Sequence, residues 1–412
     1  MQAKKHLIVV GGPTASGKTS TAIALARHFD TAIISADSRQ FFREMSIGTA
    51  KPSAEELALA PHYFIDSHSV TQEYSVGAYE REALVLLQDL YQEKDVLILT
   101  GGSGLYINAL CQGLDEFPEV PTEIKRLYEN KWAQEGLEAL QEELQRVDPA
   151  YAKTVDLQNP HRLIRALSVH RASGQPYSTF RKKGQYARFF TPIYLQMDWE
   201  RDQLYERINQ RVDLMVAAGL EEEVKALLPY KDHAVFATVG YQEWLPYLAG
   251  EVDWASVIAL IKRNSRRYAK RQLTWMRRDG FWRHFSPEDQ AAILAHLDWR
   301  IHSHYELMSR RVGQTEILAY QQGDQPVAQI SLEQTKRFMV ARVQVVKDEN
   351  ALTDLLSEFR CRAGKMSPLL IIPAEVELSP QKWGFVDINH QHELPKTVLD
   401  LLAPGDSLMR GE

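Results

Sequence analysis

The chain has 412 residues, 44% hydrophobic and 25% charged, with a formal net charge of -6. These averages exclude a disordered, collagen-like or mucin-like chain, and the length allows two or three domains. No apolar run reaches the roughly 18 to 20 residues that span a bilayer, and Cys111 and Cys361 lie apart without Cys or His partner motifs, so neither a membrane anchor, a secretory signal, a disulfide framework nor a zinc site is expected. A reducing cytoplasm fits, and the acidic balance by itself points away from nucleic acid.

His6 to Val10 reads as a buried strand, Ser20 to His28 as a helix and Ala32 to Ser35 as a second strand. A helix over Tyr79 to Gln92 and a strand over Asp95 to Thr100 follow, and this β-α-β rhythm with near-continuous apolar strands predicts an α/β fold with a parallel sheet covered on both faces. From Gly113 to Ala187 the strands vanish. Pro121 to Val147 and His161 to Ala172 have helical spacing and Gln185 to Pro192 reads as a turn, so 113–187 is taken as a helical insertion into a core formed by 1–112 and 188–300. Ile193 to Met197 is a strand, Arg201 to Leu228 one long helix, and Tyr241 to Leu248 and Trp254 to Arg278 further helices. Beyond Asp279-Gly280 the character changes. Ser286 to Met308 reads as a helical connector, Glu316 to Tyr320 and Pro326 to Ile330 as a hairpin around Gly323-Asp324, Ala341 to Val346 and Leu369 to Ile372 as strands, and Asn350 to Arg362 as a helix. Residues 308–412 thus form a small α/β or α+β unit of unassigned role, with nearly balanced charge.

Gly12-Pro13-Thr14-Ala15-Ser16-Gly17-Lys18-Thr19 matches G-x-x-x-x-G-K-[ST] between a strand and a helix, the context a phosphate loop needs. Glycines let backbone N–H groups close on phosphate oxygens, Lys18 places an ammonium against them, and the Thr19 hydroxyl suits Mg2+. A di- or triphosphate ligand follows. The apolar strand Val96 to Leu99 ends in Thr100 rather than in an acid, so the acid is sought elsewhere. Asp37 follows a strand at the sheet edge where ligands gather, either as a general base or as a cap of the next turn. Arg207 and Arg211, one helical turn apart, form either a clamp for transferring phosphates or a solvated face balanced by Glu206 and Asp213.

Lys262 to Arg278 contains eight cations and no acid, with Tyr268 and Trp275 interleaved. Such a helix neutralises nucleic-acid phosphates while an aromatic ring packs on a base, unless it is merely a solvated face. His161-Arg162-Leu163-Ile164-Arg165 adds a second basic turn.

The phosphate loop, Asp37-Ser38-Arg39-Gln40, Gly48-Thr49-Ala50-Lys51-Pro52, His62-Tyr63-Phe64-Ile65-Asp66, Gly101-Gly102-Ser103-Gly104-Leu105-Tyr106, Gly240-Tyr241 and Lys270-Arg271-Gln272-Leu273-Thr274-Trp275 occur in an order that resembles the bacterial tRNA dimethylallyltransferases, over about residues 5 to 300. The resemblance implies a P-loop NTPase-like fold and transfer of a dimethylallyl group from dimethylallyl diphosphate to N6 of adenosine-37, in tRNAs reading codons that begin with U. It further implies that Gly12 to Thr19 cradle the diphosphate, that Lys18 and Arg207 or Arg211 neutralise it, that Thr19 with Mg2+ helps it leave, and that Asp37 accepts the N6 proton. The tRNA anticodon stem-loop would meet Asp37, Ser38, Arg39, Gln40, Ser103, His161, Arg162, Leu163, Ile164, Arg165, Thr238, Val239, Gly240, Tyr241, Gln242, Lys270, Arg271, Gln272, Leu273, Thr274, Trp275, Met276 and Arg277. Ser103 stands where Thr is common and His161 where Gln is common. A cytoplasmic monomer is expected. An adenylate isopentenyltransferase acting on AMP, a P-loop small-molecule kinase and a non-catalytic RNA-binding module are the competing readings; the helical insertion and the basic helix favour tRNA over a mononucleotide.

Overall fold

The computed structural model describes residues 4–181, 187–279, 282–302, 306–312, 315–322, 325–334, 338–363, 367–372, 385–387 and 407–411. The chain opens with β1 (His6–Gly11), buried along its whole length, and turns through the phosphate loop into α1 (Lys18–His28). β2 (Ile33–Ser35), α2 (Ala54–Leu59), β3 (His62–Tyr63), α3 (Val76–Leu90), β4 (Val96–Gly101) and α4 (Gly104–Gln112) follow. Then come α5 (Thr122–Val147), α6 (Pro149–Ala152), α7 (Pro160–Ser173) and α8 (Tyr177–Phe180). The chain continues through β5 (Thr191–Met197), α9 (Arg201–Ala217), α10 (Leu220–Leu227), α11 (Trp244–Leu248), α12 (Trp254–Asp279), β6 (Arg283–Phe285) and α13 (Gln290–His302). The last elements are β7 (Glu306–Val312), β8 (Thr315–Gln322), β9 (Gln325–Gln334), β10 (Phe338–Val346), α14 (Glu349–Ala363), β11 (Ser367–Ile372), β12 (Phe385–Asp387) and β13 (Ser407–Gly411).

The first sheet has six strands in the order β3-β2-β4-β1-β5-β6, all parallel. Its apolar strands are buried on both faces, as the uninterrupted runs Leu7 to Val10 and Leu97 to Leu99 require. The registers set Gly11 beside Gly101 and Gln196, and Ser35 beside Thr100. Four strand ends therefore deliver their loops to one edge: the phosphate loop after β1, Asp37 after β2, Ser103 after β4 and Asp198 after β5. Strand order changes direction around β1, and this is where an open α/β sheet takes its ligands.

Several elements differ from the sequence reading. The helix predicted over Arg201 to Leu228 is two helices, because Gly219 takes a φ of 98° and starts α10 in a new direction. Thr191 and Pro192, read as part of a turn, open β5; residues 182–186 before them lie outside the described residues. The helix predicted from Tyr241 begins only at Trp244, since Thr238 to Glu243 is spent in turns. The predicted connector from Ser286 to Met308 is helical only as α13, and the chain has become strand β7 by Glu306. Among the described residues no helix is long and apolar enough to cross a membrane.

Asn108–Arg188 form one compact unit and the rest of the chain another. Within the first of these, Leu140 and Leu144 of α5 meet Leu163, Ile164 and Leu167 of α7 around a small core of their own. Gly136, at φ 82°, breaks α5 into two helical stretches. The Asn159 side chain caps α7 by accepting from the Arg162 N–H at 3.3 Å, with Pro160 in the first turn.

The second sheet has seven strands in the order β12-β13-β11-β10-β9-β8-β7. The hairpin of β8 and β9 is formed as predicted, with its Gly323-Asp324 turn outside the described residues. The parallel pair β10 and β11 is joined through α14, whose Ala351, Leu352, Leu355, Leu356 and Phe359 fill the core against the sheet. α13 serves both sheets. Its Ile293 and Leu297 belong to the core under the first sheet, while Trp299 packs against the core of the second. Beside Trp299, Arg300 Nη1 donates to Tyr320 Oη at 2.6 Å and to Asp354 Oδ2 at 2.8 Å, and Tyr320 Oη donates to the same Asp354 oxygen at 2.9 Å. Burial pushes His296, one turn earlier, down to about 4, so α13 presents a neutral imidazole next to this paired charge.

Candidate active site

The phosphate loop curls over the start of α1 through left-handed backbone at Ala15 (φ 64°) and Gly17 (φ 87°). Gly17 caps the helix without a side chain, which leaves the first N–H groups of α1 facing the loop's concavity for an anion. Behind the loop, Arg207 Nε donates to the Ala15 carbonyl and Trp199 Nε1 to the Ser16 carbonyl, each at 3.0 Å, and the Arg207 guanidinium lies 4.3 Å over the Trp199 ring. On the other side Gln272 Oε1 accepts from Thr14 N–H at 2.9 Å while its Nε2 donates to the Gly102 carbonyl at 2.9 Å. Lys18 Nζ folds back to the Pro13 carbonyl at 2.7 Å.

Asp37 is placed by its own turn and by an aromatic floor. Its N–H donates to Ser35 Oγ at 3.2 Å, its Oδ1 accepts from Arg39 N–H at 3.0 Å, and its carbonyl accepts from Gln40 N–H at 3.1 Å. The next side chain but three, Phe41, is fully buried; it stacks on Tyr79 at 5.4 Å and meets Tyr106 at 5.4 Å, each such pair worth about 0.5 to 1.5 kcal/mol beyond its buried area. Ser103 Oγ donates to Ser38 Oγ at 3.1 Å and accepts from Ser38 N–H at 3.1 Å, tying the turn to the end of β4.

A cavity of about 390 Å³ opens on these groups. Its wall carries three chemistries. Lys18, Arg39, Arg211 and Arg271 are cationic; Asp37 is the one carboxylate among the described lining residues; Ile208, Val212, Met215, Val239 and Ile261 form an apolar flank. Burial and the neighbouring Arg211 push the Lys18 ammonium down to about 8, against the opposing pull of Asp37. Burial likewise lowers Arg211, with Asp37 acting the other way. Tyr268 is pushed up to about 12, first by burial and then by Asp37. Two desolvated cations facing one carboxylate leave a net positive cavity, suited to a polyanion.

The residues singled out in the sequence divide by position. Thr14, Lys18, Thr19, Asp37, Ser38, Arg39, Gln40, Arg211, Thr238, Val239, Gly240, Arg271 and Gln272 line the cavity together. Arg207 braces the loop from outside the cavity, so the arginine pair splits by function: one helical turn separates a strut from a lining cation. Tyr241 is wholly buried and Met276 nearly so. Gln272, also buried, holds the phosphate loop instead of reaching outward. Leu273 packs with Leu204, Ile208 and Ala269, and Trp275 lies against Gly104, where an added Cβ would sit 2.1 Å from the indole. Arg263, Arg267, Lys270, Arg271, Thr274 and Arg277 remain as an exposed stripe on α12, with Gln242 exposed as well. Of the other cations of the run, Lys262 pairs with Asp213 at 2.6 Å and Arg266 donates to Asn209 at 2.6 Å. On α7, His161, Arg162 and Arg165 are exposed, whereas Leu163 and Ile164 belong to the core of their unit and present no side chain outward. Thr49 and Ala50 were read only as part of their motif and Tyr268 only as an aromatic interleaved in the basic run, while Ile208, Val212, Met215 and Ile261 of the apolar flank were not foreseen at the site; none of these carries a charge to suggest a role.

A parallel sheet whose first strand opens into a phosphate loop, with a cation-lined cavity at the strands' carboxyl ends, defines a P-loop α/β protein with a site suited to a phosphorylated substrate. The family model described as IPP transferase matches residues 40–279. The tRNA dimethylallyltransferase of Christiangramia forsetii is 48% identical over 274 residues, covering 66% of this chain and 91% of that one. The structure of the tRNA isopentenylpyrophosphate transferase of Bacillus halodurans is similar at a TM-score of 0.54 and 34% identity, over 72% of this chain and 97% of that one. A eukaryotic dimethylallyltransferase solved acting on tRNA shares the fold at a TM-score of 0.64 and 20% identity, over 99% of this chain and 92% of its own. The chain belongs to the IPP transferase family and is a prenyltransferase.

Proposed function

We propose that the protein transfers the dimethylallyl group of dimethylallyl diphosphate to N6 of adenosine-37 in tRNAs reading codons that begin with U, releasing pyrophosphate. The observation that carries this reading is one cavity in which Lys18 and Arg211, an apolar flank and Asp37, the one carboxylate among the described lining residues, meet. The cations take the diphosphate, Ile208, Val212 and Met215 take the hydrocarbon, and Asp37 takes the amine. As the allylic carbon–oxygen bond breaks, negative charge grows on the departing diphosphate, so fixed cations stabilise the transition state more than the ground state. The N6 lone pair forms the new carbon–nitrogen bond, and the proton it must shed goes to Asp37. The adenine reaches a cavity of this kind only by leaving its stack.

Mg2+ fits this donor set. Thr19, the phosphate-loop residue whose hydroxyl suits this ion, lines the same cavity, and Mg2+ is usually held by few protein oxygens together with substrate phosphates and water. Thr19 would hold it, and the ion would neutralise part of the diphosphate charge. The relatives' tRNA-directed names, the helices of Asn108–Arg188 and the exposed stripe of α12 support a tRNA anticodon stem-loop as acceptor; we read the protein as a cytoplasmic monomer.

The test is incubation with labelled dimethylallyl diphosphate and either unmodified tRNA or AMP, with ATP as a third donor. Label is expected in tRNA alone. Label in AMP, or phosphate transfer from ATP, would overturn the reading. Replacing Arg267, Lys270 and Arg271 together with alanine is expected to lower the slope of log affinity for tRNA against log salt by about 2 to 3, since each phosphate contact contributes roughly 0.7 to 0.9. An unaltered slope in filter binding would remove the stripe from the RNA interface.

A further inference from the structure

Glu223 lies in the acidic first turn of α10, Glu221-Glu222-Glu223, and does not line the cavity. Its carboxylate nevertheless accepts four hydrogen bonds. Oε2 takes the backbone N–H of Ser46 at 2.9 Å and of Ile47 at 2.7 Å; Oε1 takes the N–H of Gly48 at 3.0 Å and the Tyr241 hydroxyl at 2.7 Å. Three successive backbone donors and a buried phenol converging on one carboxylate form a charge-assisted staple, well beyond what an acid near a helix start needs to meet the dipole. Tyr241 closes the staple from the other side. A Cβ added at Gly48 would lie 2.5 to 2.6 Å from its ring and hydroxyl, so only glycine lets the loop come this close. Tyr241 is itself held through its neighbour, because Glu243 Oε2 accepts from Gly240 N–H at 2.8 Å while Oε1 accepts from Asn264 Nδ2 at 2.8 Å.

The stapled loop leads straight to the cavity. The Thr49 carbonyl accepts from Arg211 Nη2 at 3.4 Å and from Gln40 Nε2 at 3.4 Å, and the Ala50 carbonyl accepts from Gln40 Nε2 at 3.2 Å. Ala50 adopts a φ of 45°, a left-handed conformation that a non-glycine residue keeps only when its surroundings fix it. We propose that Glu223 is a positioning residue: with Tyr241 it locks the Ser46–Ala50 loop, whose Thr49 carbonyl sets the Arg211 guanidinium for the diphosphate. This rests on the reading of Arg211 as a diphosphate ligand. It also gives Tyr241 of the Gly240-Tyr241 motif a buried structural task.

The test uses the full chain, titrated calorimetrically with inorganic pyrophosphate and assayed for turnover with dimethylallyl diphosphate and tRNA. Glu223→Gln is expected to weaken pyrophosphate binding and to lower kcat by about tenfold each, with tRNA affinity within about twofold of the wild type. In an Arg211→Ala background the same substitution is expected to cost no more than about twofold further, because its effect runs through Arg211. Tyr241→Phe, which removes one of the four bonds, is expected to weaken pyrophosphate binding about threefold and decides the matter if Glu223→Gln does not fold. Wild-type pyrophosphate affinity in Glu223→Gln, or a full tenfold loss persisting without Arg211, overturns the proposal. A wild-type protein that binds pyrophosphate but transfers nothing would strike the proposed reaction alone, since the titration still decides the lock.

Discussion

Asp37→Asn is expected to reduce kcat by about 10²- to 10⁴-fold while the KM for dimethylallyl diphosphate changes by less than about threefold. The amide keeps the size of the carboxylate and can still accept the Arg39 N–H, so the turn over the Phe41, Tyr79 and Tyr106 floor stays in place. What it loses is the ability to take a proton. An exocyclic adenine amine shares its lone pair with the ring and becomes cationic as the carbon–nitrogen bond forms, so the proton has to leave in or just after that step. No other carboxylate among the described lining residues can replace Asp37. With donor binding assigned to Lys18, Arg211 and the phosphate loop, KM is expected to be spared. The measurement is single-turnover transfer at saturating donor and tRNA. A rate for Asp37→Asn within threefold of the wild type would mean that the proton leaves to water and that Asp37 only caps its turn.

Local signals in the sequence located one side of this cavity. The phosphate loop and Asp37 were legible because each is fixed by its neighbours in the chain: a strand end, a glycine turn and a helix start. Arg207 and Arg211 were legible as a pair but not apart. They share a helical face, and what separates them is where each side chain reaches, Arg207 to the Ala15 carbonyl behind the phosphate loop and Arg211 to the cavity wall. Glu223 was not legible at all. It reads as one of three acids opening a helix, and its partners Ser46 to Gly48 lie some 175 residues away. Gln272 was named as an RNA contact through its motif, but its hold on the phosphate loop was not legible, since a neutral residue inside a run of cations gives no sign of facing inward. The two-residue β3 and three-residue β6 are too short to carry any period and exist because the sheet edge supplies their hydrogen-bond partners. Leu163 and Ile164 show the converse case, since a motif carried over as a block includes the buried residues that hold its helix down.

The net charge of -6 also takes on meaning through position. Two of the α12 cations are consumed internally by Asp213 and Asn209, and the exposed ones follow one face of a single helix. Surface potential over distances near the Debye length of about 10 Å is set by such local stripes, so a whole-chain sum says little about an RNA-facing surface.

Lys18→Ala is expected to weaken pyrophosphate binding and to slow transfer by about 10²- to 10³-fold, the scale seen when a single preorganised donor to a developing anion is removed. The wild type should also show a pH signature that the variant lacks. In the empty cavity, burial and Arg211 hold Lys18 down to about 8 from its ordinary 10.5. A bound polyanion restores the ammonium, so binding above pH 8 requires uptake of a proton, and this contribution to affinity should fall about tenfold for each unit of pH until the value in the complex is reached. Pyrophosphate titrates too, but equally for both proteins, so the difference between the wild-type and Lys18→Ala affinity curves isolates the lysine. Stability without ligand should move the other way. Because the folded-state value is depressed, the unfolded chain binds the extra proton between about 8 and 10.5, and the stability of the empty wild type should rise with pH through that window relative to Lys18→Ala. Opposite slopes for affinity and stability are hard to obtain from a general change in net charge. Calorimetric titration and thermal unfolding of both proteins from pH 7 to about 10 measure the two slopes, and parallel curves for wild type and variant would show that Lys18 stays charged in the empty site.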